Sequence, residues 1–184
     1  INDKARALLL AAAKGADLDQ LGVYYGVVRL VLAPASGQTP AVMETDEALR
    51  RRIQLAPEAF SVAGPPGAYA FHALSADPAI KSVGVYAHGD GDLAPGEVRL
   101  YLLTRQGDGT PSAALIEKVA AYLRSGGDKI PATDRLAVLP ARIVPYQVGA
   151  VLALPPGPDP LIVKQQAEAA LAAYTASRHQ VGLS

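Results

Sequence analysis

The sequence predicts an α+β protein, with an N-terminal helical module followed by an antiparallel sheet that carries helices on one face. Three observations lead there. Apolar residues recur at helical spacing through the first 76 residues, period-two alternation takes over in separate pieces beyond residue 77, and Pro/Gly clusters mark the changes of regime. The expected modules are 1–76, with a linker near 34–40, and 77–184.

Residues 3–14 are rich in Ala and Leu, which favours helix, and Gly15 stands where a left-handed residue would end it. Leu18, Leu21, Tyr24 and Tyr25 then suggest a short amphipathic helix, weakened by Gly22. The stretch 34–40, with Pro at both ends around Ser36, Gly37 and Thr39, reads as a linker. Thr45 or Asp46 can cap a helix running through Ile53. Glu44, Asp46 and Glu47 sit near its positive end and Arg50, Arg51 and Arg52 in later turns, an order that suits the helix dipole. A turn at 63–67 precedes a further helix with Ala68, Phe71, His72 and Ser75 on one side and Tyr69 beside them.

In the second half, Ile80, Val83 and Val85 precede His88-Gly89-Asp90-Gly91-Asp92, after which Val98, Leu100 and Leu102 alternate with Arg99, Tyr101 and Leu103. This predicts a hairpin. Thr110-Pro111 supplies an N-cap and first-turn proline for a helix with Leu115, Ile116, Val119 and Leu123 on one face, ended by Gly126-Gly127. Leu136 and Val138, then Ile143, Tyr146, Val148, Ala150 and Leu152, alternate on either side of Pro140 and predict one bent strand or two. Asp159 and Pro160 open a last helix with Val163, Ala167, Ala170, Leu171 and Tyr174 as its buried stripe. The resulting order, β-β-α-β-(β)-α, resembles a ferredoxin-like plait and disfavours a parallel nucleotide-binding sheet.

Composition narrows the function classes. The chain has 184 residues, half of them hydrophobic, with 17 basic against 17 acidic side chains. That balance exerts no long-range pull toward nucleic acid or anionic lipid, so neither is an expected partner. With no cysteine there is no disulfide, thiolate metal site or cysteine nucleophile. The apolar run at 7–13 is far too short to cross a bilayer. The start at Ile1, without a methionine, and the end just after a helix-like segment suggest an excised piece of a longer polypeptide.

No phosphate loop, dinucleotide fingerprint, G-x-S-x-G elbow or H-E-x-x-H pair occurs. His72, His88 and His179 fall on a predicted helix, a turn and the chain end, and read as ordinary helix or surface residues. Asp90 and Asp92 alternate as calcium ligands do, but the late glutamate of a calcium loop is missing and a hairpin turn is the better reading. No catalytic, cofactor-binding or metal-binding residue is therefore expected, and no cofactor. The candidate partner contacts are Arg50, Arg51 and Arg52, the densest charge cluster, which reads more simply as a solvated face, and Tyr24, Tyr25 and Tyr69, which read by default as core and otherwise as interface anchors. Helical rotation spreads the three arginines over about 200°, and tyrosines give contact area at low entropic cost.

The segments Gly15-Ala16-Asp17-Leu18-Asp19-Gln20-Leu21, Tyr25-Gly26-Val27-Val28-Arg29-Leu30 and Glu44-Thr45-Asp46-Glu47-Ala48-Leu49-Arg50-Arg51-Arg52-Ile53 resemble the baseplate assembly protein J family of contractile-tailed phages. The likeness continues through Leu55-Ala56-Pro57-Glu58-Ala59-Phe60-Ser61-Val62-Ala63-Gly64-Pro65 and the stretch 67–76. It extends, less specifically, to 96–105, to the helix after Pro111 and to Ala132-Thr133-Asp134-Arg135-Leu136-Ala137-Val138. Lys129-Ile130-Pro131-Ala132 departs from the Arg-Pro-Leu-type approach to the Thr-Asp pair that many members carry.

The resemblance implies a non-enzymatic structural component of a phage or prophage baseplate, present in multiple copies in the virion tail and assembled in the host cytoplasm. Its implied partners are other baseplate and tail proteins, with homo-oligomers in the assembled baseplate. The family supplies no catalytic residue to carry over. Two other readings rest on the residues alone: a ferredoxin-like ligand-binding or regulatory domain, which needs a deep pocket with converging polar groups, and an enzyme using His72 or His88 with nearby carboxylates.

Overall fold

A computed structural model of the chain describes residues 9–153, 157 and 159–182. The helix expected over 3–14 lies partly outside these residues, and where it is described, residues 9–14 form a turn. Gly15 has φ +51°, the left-handed geometry anticipated for it, but it opens helix α1 (Gly15–Val23) instead of closing an earlier one. Its N–H donates to Asp46 Oδ2 at 3.0 Å, so a carboxylate from another helix satisfies this end. Gly22 is required within α1, because a Cβ there would sit 2.5 Å from the Val27 carbonyl oxygen where the chain folds back.

The expected linker at 34–40 is the tip of a small hairpin joining β1 (Val31–Ala33) to β2 (Val42–Met43). Ser36 and Thr39 exchange backbone hydrogen bonds of 3.1 and 3.0 Å around Gly37-Gln38. Gly37, at φ +57°, takes the first central position, where a two-residue II′ turn requires glycine. Helix α2 (Asp46–Ala59) is capped by Thr45, whose Oγ1 accepts from Ala48 N–H at 3.3 Å. It runs six residues beyond the predicted end because Pro57 falls in the last turn, where little helix remains to disrupt. Helix α3 (Pro66–Ala76) begins on prolines, and Glu58 Oε2 accepts its Gly67 N–H at 2.9 Å.

Strands β3 (Ile80–Tyr86) and β4 (Glu97–Thr104) pair antiparallel, as the alternation predicts. Helix α4 (Ala113–Arg124) then crosses over to β5 (Arg135–Pro140), which runs parallel to β4. The sheet, in order β3-β4-β5, is thus mixed, correcting the expected antiparallel sheet. A helical crossover returns the chain to the same end of the sheet, and only a parallel strand can follow. The cap of α4 is Ser112, accepting from Leu115 N–H at 3.3 Å, two residues after the predicted Thr110.

The predicted strand continuation at 143–152 does not form. Ala141 N–H reaches Leu102 O at 2.9 Å, and among the described residues no backbone hydrogen bond follows until the last helix. Helix α5 (Pro160–Arg178) is capped by Asp159 as predicted, Oδ1 accepting from Leu161 N–H at 2.9 Å. Its predicted buried stripe is corrected: Val163, Ala167 and Leu171 are half-buried, Ala170 and Tyr174 are exposed, and no residue of the helix is buried. The i, i+4 spacing is right, but among the described residues no second layer of the fold covers the stripe.

Two hydrophobic clusters form. Ala13, Leu18, Val27, Leu49, Ile53 and Ala56 make one between α1 and α2. The other joins one face of the sheet (Ile80, Val98, Leu100, Leu102) to α3 and α4 through Tyr69, Leu74, Val119 and Leu123. Helix α3 serves both, since its Phe71 packs on the first cluster and its Tyr69, Ala73 and Leu74 on the second.

Candidate interaction surfaces

The expected partner contacts part company in space. Tyr24 and Tyr25, at the end of α1, are 83% and 42% exposed, and exposed Val23, Val28, Val31, Val42 and Met43 lie on α1, the β hairpin and the chain between them. Tyr69 is only 1% exposed. Its hydroxyl donates to Asp134 Oδ2, and burial followed by that hydrogen bond raises its pKa far above the usual phenol range. It is a core residue with a satisfied polar tip.

The arginine triplet is likewise drawn into the fold. Arg50 donates to Leu10 O at 2.8 Å and Ala13 O at 2.6 Å, tying the turn before α1 to α2. Arg52 is buried against Glu44, NH1 to Oε2 at 2.8 Å, with further bonds to Val28 O and Ser75 Oγ. Glu44 Oε2 also accepts from Leu30 N–H, while Oε1 has no hydrogen-bond partner. Arg51 is half-buried between them. Nearby, Arg29 binds Asp19, Asp46 and the Glu44 carbonyl, so this polar cluster holds α1, the hairpin and α2 together.

The histidines do not converge. His72 lies on α3 with a buried, unpartnered Nε2; burial, then the charge of Lys129, lowers its pKa. His88 shares a small concavity of about 170 Å³ with Glu97, Tyr69 and Asp134. Each polar group there is engaged locally: His88 Nδ1 lies 3.0 Å from Leu93 O, Glu97 Oε2 accepts from Ala94 N–H, and Asp134 accepts from Tyr69. His179 sits at the opposite side of the sheet, 3.4 Å from Lys81 Nζ. In the β3–β4 loop, Asp90 Oδ2 accepts from Ala87 N–H and Asp92 faces Arg99 at 3.4 Å, so both aspartates are turn and rim residues. Among the described residues no cluster of three metal-ligating side chains occurs, and no helix is long and apolar enough to cross a membrane.

The sheet's second face holds a half-open groove of about 640 Å³. Its floor is Tyr86 and Tyr101, stacked edge to face with centroids 5.5 Å apart, together with Leu103, which is 2% exposed. One wall is the extended segment with Ile143, Val144 and Tyr146; the other is the turn after α5. That turn and the end of α5 are strapped to the sheet: Val181 N–H donates to Ser82 Oγ at 3.1 Å, and Lys81 Nζ donates to Ala176 O. Gly84 makes room for it, since a Cβ would meet Val181 Cγ1 at 2.5 Å. Arg99, Arg142 and Arg178 edge the groove.

Sequence reasoning did not single out these groove residues. The signal was present in β4, where Tyr101 and Leu103 alternate with Val98, Leu100 and Leu102. A strand that is apolar on both faces is one whose two faces are both to be covered.

The sequence matches the profile of the baseplate J-like N-terminal domain over residues 1–36 and that of the baseplate J-like central domain over residues 61–140. It is 40% identical over 186 residues to baseplate protein J of Escherichia phage P2, an alignment that takes in 99% of this chain and 60% of the relative. The chain therefore spans less than two thirds of that relative's length.

Proposed function

The chain belongs to the baseplate J-like family, and from that premise we propose that it is a structural part of a contractile-tail baseplate, built into the wedge by protein–protein contacts. The observation that carries the reading is the P2 match, which runs through both hydrophobic clusters of the fold and not through an isolated motif. The site chemistry agrees with it. His88, Asp90 and Glu97 are held in local hydrogen bonds and His72 Nε2 is buried with no carboxylate partner among the described residues, whereas large apolar side chains stand exposed on α1, the β1–β2 hairpin and the segment after β5. Such side chains are what buried interface cores are made from.

In this reading the partners are other baseplate and tail proteins, with further copies of the chain around the tail. Nucleic acid and membrane have no part in it, and assembly takes place in the host cytoplasm before the virion is released. The helical module and the sheet module meet along α3, and Tyr24 and Tyr25 are contact anchors of the first. The test is reconstitution of the full-length protein with the other baseplate proteins of its source, followed by size-exclusion chromatography. Co-elution in a subcomplex is expected; failure to enter any subcomplex overturns the proposal.

A further inference from the structure

We propose that the groove on the second face of the sheet docks an extended, acidic and apolar segment of a neighbouring protein. This deepens the baseplate reading and rests on it for the neighbour's identity, though not for the groove's chemistry.

The first argument is composition. Three of the chain's eight tyrosines, Tyr86, Tyr101 and Tyr146, line the groove, and three arginines edge it. Tyrosine and arginine dominate the energetics of protein–protein contacts because each offers a large, stiff surface with a polar tip. The volume, about 640 Å³, suits a few anchoring side chains of a partner rather than a flat contact.

Charge is the second. The whole chain is balanced at 17 basic and 17 acidic residues, yet the groove edge is not. Arg142 and Arg178 are exposed and make no ion pair among the described residues, and Arg99 has only a 3.4 Å contact to an Asp92 side chain that is 85% exposed. The one carboxylate in the lining, Asp90, is already held by Ala87 N–H. Guanidinium forks above an apolar floor select a carboxylate-bearing partner, since Arg pairs carboxylates through two parallel hydrogen bonds.

Shape is the third. The wall carrying Val144 and Tyr146 makes no backbone hydrogen bond among the described residues, and those side chains are 69% and 61% exposed. An extended guest lying along it gains main-chain hydrogen bonds together with side-chain burial.

The chain contains no tryptophan, so the probe is a short peptide carrying one tryptophan between leucine and glutamate residues, followed by its fluorescence on the full chain. A lysine-for-glutamate version serves as the control peptide. Saturable binding of the acidic peptide is expected, weakening as salt rises. Reversing both arginines, Arg142→Glu with Arg178→Glu, is expected to weaken it by about tenfold or more, whereas Lys14→Glu on the other module leaves it unchanged. Tyr146→Ser, on the exposed wall, tests the apolar part and is also expected to weaken binding. Thermal melts confirm that each variant is folded.

Equal binding of the two peptides, or unchanged affinity in the double reversal, overturns the inference. Concentration-dependent dimerisation that the double reversal abolishes also overturns it, because the groove then belongs to a second copy. In the reconstitution, entry of both the unsubstituted and the doubly reversed protein with equal affinity sinks the groove and leaves the baseplate reading standing. If the unsubstituted protein enters nothing, the baseplate reading falls and the peptide result alone decides the groove.

Discussion

Arg50, Arg51 and Arg52 are three identical side chains in a row, and their surroundings give them different work. Arg50 satisfies carbonyls of a turn, Arg51 stays half-buried, and Arg52 is buried in an ion pair whose Glu44 side chain is 1% exposed. A buried pair of this kind is weak evidence for net stabilisation, because desolvating both ions offsets much of their attraction. Breaking it is another matter. Glu44→Gln leaves the Arg52 guanidinium buried without its counter-charge and is expected to cost about 3–5 kcal/mol, read as a lowered urea midpoint. A change under about 1 kcal/mol would place the pair among ordinary surface ion pairs. Replacing Arg52 and Glu44 together by apolar residues should recover much of the loss.

At the scale of elements, most caps and the hairpin alternation were readable, because one local interaction decides them, although the cap of α4 is Ser112 and not Thr110. Thr45, Asp159 and the strand pattern around Val98 behave as their residue types require. The segment after β5 is the exception. Val144, Tyr146, Val148 and Leu152 have strand-forming side chains, yet Ala141 makes the last ladder bond. A strand needs a partner edge as well as a pattern, and β5 already lies at the end of the sheet. Its outer edge is also blunted: Leu136 O is taken by Arg124 at 2.8 Å, and Pro140 has no N–H to offer. Amides of 142–153 are therefore expected to exchange with deuterium at near-intrinsic rates in the isolated chain, while those of the central strand β4 exchange slowly. Mass-spectrometric exchange checks this, and protection of 142–153 equal to that of β4 would contradict it.

For the whole molecule, the decisive element is α3. It contributes Phe71 to the helical cluster and Tyr69, Ala73 and Leu74 to the sheet cluster, so neither cluster can lose it without exposing the other. The polar cluster around Arg29 and Arg52 adds a second tie, since Arg52 on α2 reaches Ser75 on α3. The two clusters are expected to unfold together. Far-ultraviolet circular dichroism, reporting helix, and tyrosine fluorescence should give coincident urea transitions. Two separated transitions would mean that the modules are energetically independent.

The sequence by itself determined most of the helices, the β3–β4 hairpin, most of the caps, the absence of common catalytic motifs and, through residues 15–76 above all, the family resemblance that the comparisons bear out. These properties live in residues a few positions apart, where hydrogen-bond spacing and side-chain type act directly. Tertiary structure alone decided that β5 runs parallel to β4, that 34–40 closes a hairpin, that Tyr69 and Arg52 turn inward, and that α5 stays largely uncovered. It also brought Tyr86, Tyr101, Tyr146 and three arginines to one groove. Each of those outcomes depends on which distant surfaces meet, and burial is a property of that meeting and not of the local pattern.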